Sequence, residues 1–120
     1  MNSLDDKTYE MSLLYDFFGD FLTEKQREYF DLYYNEDLSL SEIAENVGIT
    51  RQGVRDIIVR AENILTEAER KTGIVSRYLS RNAEIDRATE LAHRIHELSS
   101  DDEISSIADE LCGVLTGLKN

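Results

Sequence analysis

Proline and tryptophan are absent from the 120-residue sequence, and it contains only six glycines and one cysteine. Because proline and glycine interrupt helices most often, this chain can be helical over most of its length. The single cysteine, Cys112, excludes an internal disulfide and fits the reducing cytoplasm, where we expect the protein to reside. No apolar run approaches the roughly 20 residues of a membrane span, and the acidic start "MNSLDDKTYE" does not resemble a signal peptide.

Basic residues are also scarce, since 13 lysines and arginines stand against 25 aspartates and glutamates, for a formal charge of −12. Such a charge disfavours general binding to nucleic acid or to a membrane surface. The deficit is uneven: residues 1–38 hold three basic and ten acidic groups, residues 39–80 hold six of each, and residues 81–120 hold four and nine. Residues 39–80 are therefore the one neutral part of an acidic protein.

Helix start signals divide the first 73 residues into four predicted helices. The segments "TEKQ" and "SLSE", which begin at Thr23 and Ser39, each match a capping box. Gly48 ends the third predicted helix, and Thr50 caps the fourth. We therefore predict helices over residues 7–22, 23–34, 39–47 and 50–72. The first has apolar residues at helical spacing, which predicts a buried face of Leu14, Phe17, Phe18, Phe21 and Leu22.

The stretch "SLSEIAENVGITRQGVRDII", residues 39–58, matches a helix-turn-helix motif. Ala44 falls where the two helices cross, and a larger side chain there would hold them apart. Gly48 supplies the turn because glycine takes a positive φ without strain. Apolar residues fill the positions that meet the core, namely Ile43, Val47, Ile49, Val54 and Ile57. We predict an all-α fold built on this motif.

The outward positions of the second motif helix are the candidate nucleic-acid-binding residues. Helices of this kind place their first turns against base edges, where arginine pairs with guanine and glutamine with adenine. A plainer interpretation is that these charges form ordinary pairs four residues apart, such as Asp56 with Arg60, or contact a protein. The candidate residues are Thr50, Arg51, Gln52, Arg55, Asp56 and Arg60.

The C-terminal part reads as further helices. Gly73 is a helix stop, so we divide the chain into a helix-turn-helix domain, residues 1–73, and a helical extension, residues 74–120. "IVSRYLSRN" continues the helix or forms a short one, a helix covers residues 83–98, and Ser100 caps the last. That last helix carries a seam with a 3-4-3-4 repeat, which packs within a hairpin or across a two-fold axis; we favour a homodimer. The seam comprises Ile104, Ile107, Leu111, Val114 and Leu118.

The region from about Leu13 to Gly73 resembles the YlxM family, small helix-turn-helix proteins of Gram-positive bacteria that are similar to region four of sigma factors. The resemblance is carried by "LTEKQREY", by "EDLSLSEIAE" and by "TRQGV". It implies an association with the GTPases and the small RNA of the signal recognition particle, in a regulatory or accessory role. The family's nucleic-acid-facing positions map onto Thr50, Arg51, Gln52 and Arg55. Gly53 departs from the family's usual alanine, which lowers helix propensity and could let a partner approach closely.

Other candidate sites are weaker. His93 and His96 are spaced for a metal site, but the sequence shows no ligand from a second helix, so we expect exposed histidines and no metal or cofactor. Cys112 reads as a small apolar residue without a poised histidine. The aromatic run from Tyr29 to Tyr34 suits a core better than base stacking. We predict a non-enzyme, either an accessory protein of the signal recognition particle, a sequence-specific transcription regulator, or a protein-interaction module.

Overall fold

The computed structural model describes residues 3–119, and the side chains of residues 6–119. Over that range the chain forms six α-helices and no strand, which confirms the all-α prediction. A 3-10 turn, Gly19–Phe21, follows the first helix. The helices are α1 Ser3–Phe18, α2 Glu24–Tyr34, α3 Leu40–Val47, α4 Arg51–Thr72, α5 Ile74–Leu98 and α6 Asp102–Leu118.

The helix ends follow the predicted caps closely. The Thr23 and Ser39 side chains form complete capping boxes with Gln26 and Glu42 at the starts of α2 and α3. Gly48 and Gly73 take left-handed backbone conformations, with φ of 77° and 64°, and end α3 and α4. These signals are local, because each cap satisfies backbone groups within one turn of itself.

Four predicted boundaries are wrong. The first helix starts at Ser3 and not at residue 7. The first helix ends at Phe18, four residues early, because the chain tightens into the 3-10 turn. Asp101, and not Ser100, caps α6, since its carboxylate accepts from the N–H groups of both Glu103 and Ile104. A carboxylate at this position also interacts favourably with the positive end of the helix dipole, which a serine hydroxyl does far less. α5 is one helix from Ile74, so "IVSRYLSRN" forms its first part and the predicted helix start at residue 83 is wrong.

The chain divides into two compact units, the first ending at Val75 and the second starting at Ser76. In the first unit α4 packs on α1, α2 and α3. The core is apolar, and its largest fully buried side chains are Phe30, Ile43, Val54 and Leu65. Of the predicted α1 face, Leu14, Phe18 and Leu22 are buried, whereas Phe17 and Phe21 are exposed. The early end of α1 turns Phe21 away from the core.

The second unit pairs α5 with α6. Side-chain contacts join the helices in antiparallel register, between Asp86 and Lys119 at 2.6 Å and between His96 and Asp109 at 3.4 Å. Among residues 76–119, only Ile85, Ala92 and Ala108 are buried. All five residues of the predicted seam are 43–62% exposed, so the seam does not pack the hairpin together.

We predict that Gly48→Ala lowers the free energy of unfolding of the first unit by about 1–2 kcal/mol, because a Cβ is strained at positive φ. No heavy atom lies within 4 Å of the added Cβ, so the cost is conformational alone. Gly19→Ala is the matched control, since its Cβ would meet the Tyr15 ring at an ordinary 3.5 Å without a positive φ. Urea titration measures both; an equal loss in the two variants would contradict the prediction.

Candidate nucleic-acid interface

α3, the turn at Gly48 and α4 form the predicted helix-turn-helix. Ile43 and Val54, one from each helix, are fully buried, and Ala44 is nearly so. Val47 and Ile57 are half-buried against the core. Ile49 is 37% exposed, because it lies in the turn itself. The inner face of the motif is thus fixed by packing, which leaves the other face of α4 toward solvent.

The start of α4 is built around the Thr50 cap. Its hydroxyl accepts a hydrogen bond from the Gly53 N–H at 3.0 Å. The preceding N–H groups, of Arg51 and Gln52, have no acceptor within an α-helix and lie at the positive end of the helix dipole. The Thr50 hydroxyl is therefore occupied in capping its own helix. The backbone N–H groups beside it can bind an anion such as a phosphate.

The predicted binding side chains after Thr50 all lie exposed on α4. Among the residues that the structure describes, no carboxylate lies within 4.0 Å of the guanidinium groups of Arg51, Arg55 or Arg60. The expected pair between Asp56 and Arg60 is not formed. Instead, Gln52 donates from Nε2 to Asp56 Oδ1 at 2.9 Å. Three arginines are consequently available to a ligand, whereas Gln52 must leave Asp56 before it can contact a base.

Gly53 lies in the first turn of α4, beside the Thr50 cap. It is half-buried, and a Cβ there would lie 3.2 Å from Thr50 Oγ1 and 3.4 Å from Ile49 Cδ1. The missing side chain therefore leaves room for the Thr50 cap on the inner side of the helix. The expectation that Gly53 admits a close partner is not supported by this geometry.

A polar contact between α2 and α4 went unnoticed in the sequence. The Tyr34 hydroxyl donates a hydrogen bond to Glu62, and Lys7 Nζ lies 3.7 Å from the same carboxylate. Burial, and then the bond to Glu62, raise the pKa of Tyr34 well above its ordinary value. A cavity of about 150 Å³ beside this contact is lined by Lys7 and Glu62 together with Arg55. Lys7 and Tyr34 are far from Glu62 in the chain, so no local pattern could indicate these contacts.

The aromatic run of α2 belongs to the core. Tyr29, Phe30 and Tyr34 are buried, and Tyr33 is half-buried. The Phe30 ring lies 4.6 Å from that of Tyr34 and 4.8 Å, nearly parallel, from that of Tyr15. These rings are packed against one another and are not free to stack on bases.

In the second unit, each of the two histidines of α5 has a polar neighbour on α6. His93 and His96 are exposed on α5, and Cys112 is half-buried on α6. His93 Nδ1 lies 3.8 Å from Cys112 Sγ, so the expectation that no histidine stands beside the cysteine is wrong. Likewise, α6 does supply a neighbour for His96, namely Asp109. Across the described residues, no three histidine, cysteine, aspartate or glutamate side chains are grouped to hold a metal ion.

Comparison with known proteins agrees with this geometry. The model of the UPF0122 family, described as "Putative helix-turn-helix protein, YlxM / p13 like", matches residues 5–109. The chain belongs to this family. The match extends past the helix-turn-helix and through most of the second unit, so both units are part of the family pattern. The family description names the helix-turn-helix and no reaction.

Individual family members align over nearly their full length. The chain is 44% identical over 108 residues to a UPF0122 protein of Thermoanaerobacter sp. (strain X514), covering 90% of this chain and 92% of that one. It is 43% identical over 110 residues to a UPF0122 protein of Acetivibrio thermocellus, covering 92% and 88%. A UPF0122 protein of Geobacillus kaustophilus is 41% identical over 106 residues, covering 88% and 94%. No helix within residues 3–119 has the length and apolar character that crossing a membrane requires.

We predict that Tyr34→Phe lowers the free energy of unfolding by about 1–3 kcal/mol at neutral pH, because a hydrogen bond to a charged group is lost. The pKa of Tyr34 is raised from 10.0 in the folded state, so its contribution is present below about pH 10 and is lost as the pH rises further. The variant should therefore lose stability less steeply than the wild type above pH 10. Tyr9→Phe, at a site 66% exposed, is the control; parallel pH profiles for wild type and Tyr34→Phe would refute the assignment.

Proposed function

We propose that this chain is a cytoplasmic regulatory or accessory protein of the signal recognition particle pathway that binds nucleic acid through the start of α4. The observation that carries the proposal is the set of three exposed arginines, none paired with a carboxylate in the described structure, on the second helix of the motif. Arg51, Arg55 and Arg60 span nine residues, or about 14 Å of helix. That length suits contact with one groove of a duplex.

The link to the signal recognition particle rests on the YlxM resemblance. Family membership supports this resemblance, and the family description names no ligand. The exposed arginines of α4 form a narrow basic edge on a protein of charge −12. This arrangement favours binding to one particular nucleic acid over indiscriminate binding to phosphate. The particle's small RNA offers such a target, and its GTPases offer a protein partner for the same edge.

A sequence-specific transcription regulator is the second candidate. The positions of Arg51, Gln52 and Arg55 favour it, since the first turns of the second motif helix are those that read bases in a major groove. The two candidates differ in ligand, not in the surface used. A third candidate, a pure protein-interaction module, would use this edge on a GTPase alone.

We predict that Arg51→Ala and Arg55→Ala each weaken binding to the preferred nucleic acid by about 1–3 kcal/mol. Binding to the particle's RNA and to DNA duplexes is measured at low and moderate salt, together with GTP hydrolysis by the targeting GTPases. Arg81→Ala, an exposed arginine of α5, is the control and should change nothing. A wild-type protein that alters neither RNA binding nor GTP hydrolysis contradicts the lead proposal.

The same experiment separates the alternatives. Selective binding to a DNA sequence with unchanged GTP hydrolysis would establish the regulator instead. Arginine variants that abolish a GTPase complex without affecting any nucleic acid would establish the interaction module. Absence of DNA binding even at low salt, where phosphate attraction is strongest, excludes the regulator.

We also propose that the protein acts as a homodimer through the second unit. Eight of the large aliphatic side chains of α5 and α6 are 42–62% exposed, while three of the described residues of the unit are buried. A hairpin of this size with so few buried residues needs to bury more apolar surface to be stable. Two hairpins related by a two-fold axis can bury these surfaces as a four-helix bundle. The exposed residues are Leu79, Leu91, Ile95, Ile104, Ile107, Leu111, Val114 and Leu118.

We predict a wild-type mass in solution of twice the 13.8 kDa chain, measured by sedimentation equilibrium. Leu111→Asp should weaken the dimer about tenfold or more, because a carboxylate is buried where an apolar contact is lost. Ser106→Asp, at an exposed polar position of the same helix, should leave the mass unchanged. A monomeric wild type at micromolar concentration would disprove the dimer.

A further inference from the structure

The outward face of α1 carries exposed aromatic residues. Met11, Leu14 and Phe18 are buried and define the inner side of the helix. On the opposite side, Tyr9 is 66% exposed and Phe17 is 38% exposed. Phe21, in the turn that follows, is 67% exposed. These three side chains are eight and four residues apart and cover about 18 Å along the helix direction.

The exposed charges next to these rings in the chain are mostly carboxylates. Asp6, Glu10, Asp16 and Asp20 are all exposed, and of these only Asp20 lies near a cation, with Arg27 at 3.8 Å. Within the described part of α1 the one basic residue is Lys7, which points to Glu62 of α4. We call this surface the α1 face: Tyr9, Phe17 and Phe21 with Asp6, Glu10, Asp16 and Asp20.

A cavity beside Phe17 forms a concave part of the α1 face. It has a volume of about 250 Å³ and is lined by Tyr15, Phe17 and Gly19 together with Asp16, Asp20 and Arg27. Two carboxylates against one guanidinium leave a net negative wall next to two aromatic rings. A lysine or arginine side chain fits this chemistry, because its stem packs on the rings while its charged head reaches a carboxylate.

We propose that the α1 face is a docking site for a basic amphipathic segment of another protein. Exposed tyrosine and phenylalanine supply the apolar centre that interfaces favour, and the surrounding acids select lysine and arginine at the rim. A second copy of this chain would bring the same carboxylates against each other, and an anionic membrane surface would be repelled. The site is separate from the arginines of α4, and it does not depend on what those arginines bind.

The test uses a labelled helical peptide of about 18 residues, with leucine on one face and lysine on the other. Binding to the full chain is followed by fluorescence polarisation. We expect the peptide to bind, an equivalent leucine and glutamate peptide not to bind, and the affinity to fall as salt is raised. Tyr9→Ser with Phe21→Ser should weaken binding about tenfold, because buried aromatic residues dominate such interfaces.

Matched variants separate the α1 face from general attraction to an acidic protein. Asp16→Asn with Asp20→Asn should weaken binding at least about fivefold, whereas Glu103→Gln with Glu110→Gln, the same charge change on α6, should not. Circular dichroism checks the fold of each variant. Equal effects of the two charge pairs, or no effect of the serine variant, would overturn the proposal. Loss of self-association in the serine variant would overturn it too, since the occupant would then be a second copy.

Discussion

The buried stripe of α4 is the constraint on which the rest of the first unit depends. Val54, Ile58, Ala61 and Leu65 follow one another at three- and four-residue spacing, and each is at most 3% exposed. This stripe fixes the rotation of α4 about its axis against the other three helices. Arg55 and Arg60 stand next to the buried Val54 and Ala61 and therefore point away from the stripe, whereas Arg51 shares the spacing of the stripe and is exposed at the first position of the helix. The residue pattern of α4 therefore determines both how the helix packs on the core and which of its side chains face solvent.

Those features that could be predicted from the sequence are local ones. The Thr23 and Ser39 capping boxes and the left-handed Gly48 each involve groups within one turn of chain, so the residues that make the contact lie next to each other in sequence. The seam of α6 shows the limit of such reasoning. Its repeat correctly marks one apolar helix face, but a periodic pattern does not state which partner covers that face.

The features that could not be predicted join distant residues. Tyr34 and Glu62 meet only because α2 packs on α4, and His93 meets Cys112 only because α5 and α6 run antiparallel. Phe21 looked buried because the spacing assumed an unbroken helix, and three residues of 3-10 geometry were enough to change its direction. The candidate arginines were identified in sequence by their position in the motif. Only the fold shows that, among the described residues, no carboxylate lies within 4.0 Å of their guanidinium groups.

The acidic charge of the protein and a nucleic-acid-binding motif are physically compatible. At physiological ionic strength the field of an exposed charge is screened within about 8 Å, so a ligand at α4 responds mainly to the groups close to it. There the local balance is three arginines against Asp56, whose carboxylate is already engaged by Gln52. The acids of α1 belong to a different surface, where they accompany exposed rings instead of arginines. Separating the charges in this way is consistent with both proposals, a polyanion bound at the arginines of α4 and a basic protein segment bound at the α1 face.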